Sequence, residues 1–169
     1  MRSSGWAVTL IVASGLACSE TVGPGTDGPV TLTARVDGSA WTLDGANMEA
    51  FLTRDGDFLL RAIRRDGLFR AVDGIAVIIT SVEGPGRYSL TSDFDQDYGL
   101  YAIYDPVNAT STSFISTPPN VGQLEITAID TAARRIAGRF NFEAQQLEGV
   151  RRVKIESGVF RVSYENAFP

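Results

Sequence analysis

The chain has 169 residues, of which 44% are apolar and 21% charged, with a formal net charge of -5. That composition suits one globular domain and excludes a disordered chain, while the acidic balance leaves no electrostatic case for nucleic acid or an anionic membrane surface. Histidine is absent and cysteine occurs once, which removes Ser-His and Cys-His catalysis, His-containing zinc sites and disulfides together.

Residues 1–17 read as an export signal. Arg2 supplies a positive start, Trp6 to Val12 a short apolar run, and Ser14-Gly15-Leu16-Ala17 small residues before Cys18. The uncharged stretch is about 15 residues, short of the roughly 20 that span a bilayer, so it is a leader and not a membrane helix. Ser14 to Cys18 resembles the lipobox of bacterial lipoproteins, in which the cysteine is lipidated and becomes the new N-terminus. The resemblance implies lipid attachment at Cys18. Ser19 after it implies sorting onward to the outer membrane, with secretion or periplasmic release as the alternative. Two or three acyl chains hold a protein on a membrane where one does so only marginally. Residues 18–30, rich in Gly, Pro, Ser and Thr, read as a flexible tether.

From residue 31 to 169 the pattern is that of a single all-β domain. Leu32, Ala34 and Val36 share a face, Trp41 and Leu43 follow on a second strand, Met48 to Thr53 on a third and Phe58 to Ile63 on a fourth. Asp-Gly pairs at 37-38, 44-45, 55-56, 66-67 and 73-74 read as hairpin turns, because Gly takes positive φ freely and Asp tolerates it. Ile75 to Val82 is a β-branched run suited to a central strand buried on both faces. After Gly84-Pro85-Gly86 come strands at Tyr88 to Leu90 and Leu100 to Tyr104, a shorter one at Phe114 and Ile115, and a turn at Pro118-Pro119.

Three alternating runs close the chain. Leu124 to Ala128 and Ile136 to Ala144 each keep one parity. In the last run Val153 and Ile155 lie on one parity and Phe160, Val162 and Tyr164 on the other, so a β-bulge is expected near Ser157-Gly158, with Gly158 supplying positive φ. The Arg pairs at 64-65, 134-135 and 151-152 read as solvated turn charges. No window carries a capped 3.6 period. The expected fold is an antiparallel β-sandwich or partly open barrel of about ten short strands, with little or no helix.

Val36-Asp37-Gly38 followed by Trp41, then Gly86-Arg87-Tyr88, Gly122 to Thr127, Ile136 to Phe142 and Gly158-Val159-Phe160 form a set. It resembles an uncharacterised family of bacterial lipoprotein domains, all-β and known only as a domain of unknown function, over roughly Thr31 to Tyr164. No site residues come with that resemblance; it implies fold and location alone.

Two constellations carry candidate chemistry. Asp93, Asp95 and Asp97 alternate as the first oxygens of a calcium loop do. Tyr98 stands where such a loop needs Gly, however, and Tyr104 where it needs Glu, so a solvated hairpin tip explains the aspartates equally well. Tyr98, Tyr101 and Tyr104 are a candidate platform for a glycan or an envelope protein, against core packing for those on the inner face. No two carboxylates are singled out as a catalytic pair. The expectation is a non-enzymatic, lipid-anchored envelope domain for binding; the alternative is a small-ligand module for calcium or carbohydrate centred on residues 93–104.

Overall fold

The structure is a computed structural model that describes residues 23–90, 97–116, 118 and 122–166. The strands are β1 (Thr31–Val36), β2 (Ser39–Asp44), β3 (Met48–Leu52), β4 (Phe58–Arg65), β5 (Ala71–Ile79), β6 (Gly86–Leu90), β7 (Tyr98–Asp105), β8 (Thr110–Ile115), β9 (Gly122–Asp130), β10 (Arg135–Gln146), β11 (Arg152–Ser163) and β12 (Glu165–Asn166), with one 3-10 turn, Gly45–Asn47, between β2 and β3. Cys18, Asp93 and Asp95 lie outside the described residues. No described helix is long and apolar enough to cross a membrane.

Hydrogen bonds run in the order β12-β3-β4-β5-β7-β8-β10-β11-β1-β2, with β9 on β10 and β6 on β9. Every pairing is antiparallel except β12 on β3, and the two ends of the path do not pair, so the sheet is not a closed barrel. β10 is the joint. Along one edge it meets β8 through Gln145 and Gln146, and β9 through Arg135 to Asn141. The sheet therefore forks into a front layer, β3-β4-β5-β7-β8, and a back layer, β6-β9-β10-β11-β1-β2. The layers enclose one core, in which Phe58 of β4 stacks on Phe160 of β11 with ring centroids 6.0 Å apart. Leu32, Leu60, Val77, Ile79, Leu124 and Ile155 are fully buried there. The all-β antiparallel fold expected from the alternation is the one observed, with twelve strands where about ten were expected.

Local chemistry explains most turns. Asp37 and Gly38 both take positive φ, 48° and 78°, and join β1 to β2 as their sequence predicts. Asp73-Gly74 does not form a turn: it lies inside β5, paired to Arg64 and Ile63 of β4. A side chain at position 74 would bring its Cβ within 2.9 Å of the Ala62 carbonyl, so this glycine serves a close strand approach. At Asp66-Gly67 the left-handed residue is Phe69, φ 61°, and not the glycine.

The bulge falls where the parity change places it. Ile155 faces Phe142 and Gly158 faces Phe140, so Glu156 and Ser157 stand opposite Asn141 alone. The positive φ is carried by Ser157, at 52°, and not by Gly158. Gly158 is needed for space: a Cβ there would lie 2.6 Å from the Phe140 ring.

The expected tether is docked from Gly23 onward. Thr127 and Arg135 donate to the carbonyls of Pro24 and Thr26, and Arg161 donates to Gly25. These donors lie on the outer face of the back layer, and the segment crosses that face before entering β1.

Gly158→Ala should cost about 1–3 kcal/mol, because the Phe140 ring is locked in the core and cannot move aside. Gly67→Ala, where a Cβ meets nothing within 4 Å, should cost well under about 1 kcal/mol. Denaturant melts that rank the two equally would contradict this account of the bulge.

Candidate functional site

One end of the sandwich gathers most of the unusual chemistry. Arg65 pairs with Ala71, Asp105 with Thr110 and Gln145 with Arg152, and the Leu147 amide bonds Ser113. The loops 66–70, 106–109 and 147–151 therefore rim the same pole, together with the Asp37-Gly38 turn, whose Asp37 exchanges hydrogen bonds with the Lys154 backbone.

Just inside this pole sits a buried carboxylate. Asp73 is 4% exposed, and Arg64, Trp41 and Tyr101 all donate to it. Arg64 Nε and Trp41 Nε1 reach Oδ1 at 2.6 and 3.0 Å, while Arg64 Nη2 and the Tyr101 hydroxyl reach Oδ2, the latter at 3.0 Å. The Arg64 guanidinium also lies over the Trp41 ring, 5.3 Å from its centroid. Burial pushes the Asp73 carboxyl up, but the hydrogen bonds from Arg64 and Trp41, the Arg64 charge and the Tyr101 hydroxyl outweigh it, and the group lies below the ordinary carboxylate value. The hydrogen bond to Asp73 raises Arg64, and burial followed by the Asp73 charge raises Tyr101. Phe114 continues the cluster, 6.1 Å from the Tyr101 ring, with the Arg151 guanidinium over the Phe114 ring at 5.5 Å. Arg64 is thus an internal clamp and not the solvated turn charge its sequence suggests. The cluster has no vacant base and no nucleophile, so its chemistry is that of a clasp.

Outside the clasp, the rim carries apolar tips. The large apolar side chains that are exposed among the described residues are Leu68, Phe69, Val72, Ile103, Val107, Leu147, Val150 and Val159. All but Val159 stand on the rim loops or the adjoining strand ends. Two of the loops are built alike. Asp66 accepts from the amides of Leu68 and Arg70 and from Arg70 Nε, and Asp105 accepts from the amides of Val107 and Asn108 and from Asn108 Nδ2. These bonds hold both carboxyls below the ordinary value, through Arg70 first in one and Asn108 first in the other. Each loop also holds a non-glycine residue in the left-handed region, Phe69 at φ 61° and Ala109 at φ 53°.

Among the sequence candidates, Tyr101 faces the core, 6% exposed, with its hydroxyl on Asp73. Tyr98 and Tyr104 are half-buried on the opposite face of β7, so the strand splits the three tyrosines. Tyr104 borders a shallow cleft of about 410 Å³ with Arg70, Asp105, Pro106 and Ala109 at the rim. Asp97 spends Oδ1 on the Thr80 amide and hydroxyl, at 2.6 and 2.9 Å, which ties β7 to the end of β5. Among the described residues no three His, Cys, Asp or Glu converge as a metal site. A second concavity, of about 610 Å³, lies over the bulge between Gln123, Glu125, Arg139, Asn141 and Ser157. The sequence pointed to neither the clasp nor the rim. An Asp-Gly pair followed without a break by a β-branched run was the available sign that Asp73 lies in a strand and not in a turn.

A family model matches residues 29–162, nearly the whole described domain. The chain belongs to the DUF6252 family, a domain of unknown function. No curated protein and no solved structure matches it. The DUF6252 match begins just before β1 and ends within β11, so the docked segment Gly23–Gly28 lies outside it.

Replacing Asp73 by Asn should cost about 1–3 kcal/mol, since it disrupts the hydrogen bonds of a buried carboxylate and strips the charge partner from a guanidinium that keeps some contact with water. The pH dependence has a definite sign. A carboxyl whose folded pKa lies below its unfolded value of about 3.9 contributes stability in full above that value and loses it as pH falls through the folded pKa. Urea unfolding between about pH 5 and pH 2 should show this acid loss in the natural chain and a shallower slope in Asp73→Asn; equal slopes would mean that Asp73 is not held as described.

Proposed function

We propose that this DUF6252 domain is a lipid-anchored protein of the bacterial cell envelope, most suitably the outer membrane, and that it binds a partner at the loop pole rather than catalysing a reaction. The observation that carries the binding reading is the concentration of exposed large apolar side chains, Leu68, Phe69, Val107, Leu147 and Val150 among them, at one end of the sandwich. Scattered exposed apolar residues need no explanation, but a group gathered on one surface marks an interaction site. Phe69 sharpens the case. A bulky residue in the left-handed region costs free energy, and with 82% of its surface exposed it recovers little by packing. Rigid loops pinned by Asp66 and Asp105 limit the ordering cost of binding. Support for the anchor is the leader-like segment with its single cysteine, Cys18.

A second reading, a small ligand such as a carbohydrate held beside Tyr104, draws support from the cleft of about 410 Å³ at the same rim.

Two measurements separate anchor from binding. Mass spectrometry of the natural N-terminus should find an acylated Cys18, and Cys18→Ser should release the protein from membranes; a free thiol or a different first residue removes the anchor. A photo-crosslinking side chain at position 69 should capture an envelope component in living cells, and one at Arg87, on β6, should not. Leu68→Ser with Val107→Ser should abolish that adduct while changing stability by less than about 1 kcal/mol. Equal labelling from both positions removes the binding reading.

A further inference from the structure

β2 ends the back layer. Its two-residue turn to β1 and the bond from the Gly45 amide to the Val30 carbonyl, 3.2 Å, set Ser39, Trp41 and Leu43 as the residues whose amides and carbonyls face β1. The amides and carbonyls of Ala40, Thr42 and Asp44 therefore point off the sheet. All three residues are exposed, and among the described residues no strand pairs with that edge. Sheet edges left in this state are usually protected by Lys, Pro, a bulge or a covering segment. β2 has no Pro, Lys, Arg or bulge. At the other end of the path β3 is covered by β12.

We propose that the outer edge of β2 is a docking edge for a second copy of this chain, the two β2 strands pairing antiparallel about a twofold axis at Thr42. This register uses the whole free edge. It sets Thr42 opposite Thr42 and Ala40 opposite Asp44, so a favourable cross-strand threonine pair lies at the centre and no like charges face each other. A shift centred on Asp44 would oppose two carboxylates, and one centred on Ala40 would leave Asp44 unpaired. Such an axis runs perpendicular to the back layer, so the outer faces of both copies look the same way. The segment Gly23–Gly28 crosses that face. Both docked segments consequently lie on one side of the pair, the arrangement required if both are tied to one membrane. The pairing itself rests on the edge and not on the anchor.

Sedimentation of the full chain in density-matched detergent should give the mass of two copies, dissociating on dilution. Thr42→Pro removes the central outward amide without touching the β1 ladder, and should give one copy with an unchanged melting temperature. As a second route, in a Cys18→Ser background where the introduced thiol stands alone, Thr42→Cys treated with a short bis-maleimide should yield a cross-linked pair, whereas Thr33→Cys, exposed on β1, should not. A single copy at all concentrations up to about 100 μM, whether its edge is bare or carries an extended segment of another polypeptide, overturns the proposal. So does a pair that persists in Thr42→Pro or cross-links equally from position 33.

Discussion

A carboxylate taken out of water is tolerated only when every acceptor position is used, and Asp73 meets that condition with donors from three other strands. Arg64 comes from β4, Tyr101 from β7, Asp73 itself from β5, and Trp41 from β2 in the opposite layer. The strand ladders of the two layers meet at the corner where β8 pairs with β10, and the chain end β12, just past β11, adds a short pairing on β3. Across the open side the Trp41 to Asp73 bond spans the two layers, beside the core packing of Phe58 on Phe160. Buried ion pairs are poor evidence for net stability, because desolvation offsets much of the attraction. Specificity is the better argument. Slipping β5 by one residue would send the carboxyl outward and bring glycine in, leaving Arg64, Trp41 and Tyr101 without their common acceptor.

That clasp also sets what the pole can be. With the inner mouth filled by the buried Trp41, Tyr101 and Phe114, and with Arg64 and Arg151 laid over the Trp41 and Phe114 rings, this end of the sandwich is plugged by side chains. At this pole the surface offered to solvent is therefore what stands on the rim. Two of the loops there are short, pinned by Asp66 and Asp105 and strained at Phe69 and Ala109, so they are rigid supports for side chains that the core does not need.

Much of the fold can be read from period-2 alternation, because a half-buried strand writes its inner face into every second residue. The parity change between Ile155 and Phe160 was enough to locate the bulge. Which residue bears the positive φ was not legible: it depends on Phe140, contributed by a neighbouring strand, which takes the space that a side chain at 158 would need. Asp73-Gly74 shows the same limit more sharply. Two residues with turn chemistry sit inside a strand because donors far away in sequence satisfy the carboxyl and because β4 passes too close for a Cβ. Strand alternation alone divides Tyr101 from Tyr104, yet nothing local says that the inner face holds an acid for Tyr101 to bond. Residues 18–30 have tether composition, and only the outer-face donors Thr127, Arg135 and Arg161 dock their second half.

The strap Gly23–Gly28 has a mechanical consequence. It lies across the strands of the back layer and is held by single bonds from Thr127, Arg161 and Arg135. Tension applied from the N-terminal side therefore peels these bonds one after another, and several residues of slack are released before load reaches β1. The domain carries a short extensible leash ahead of its first strand, which takes up small displacements while the sandwich behind it remains unloaded.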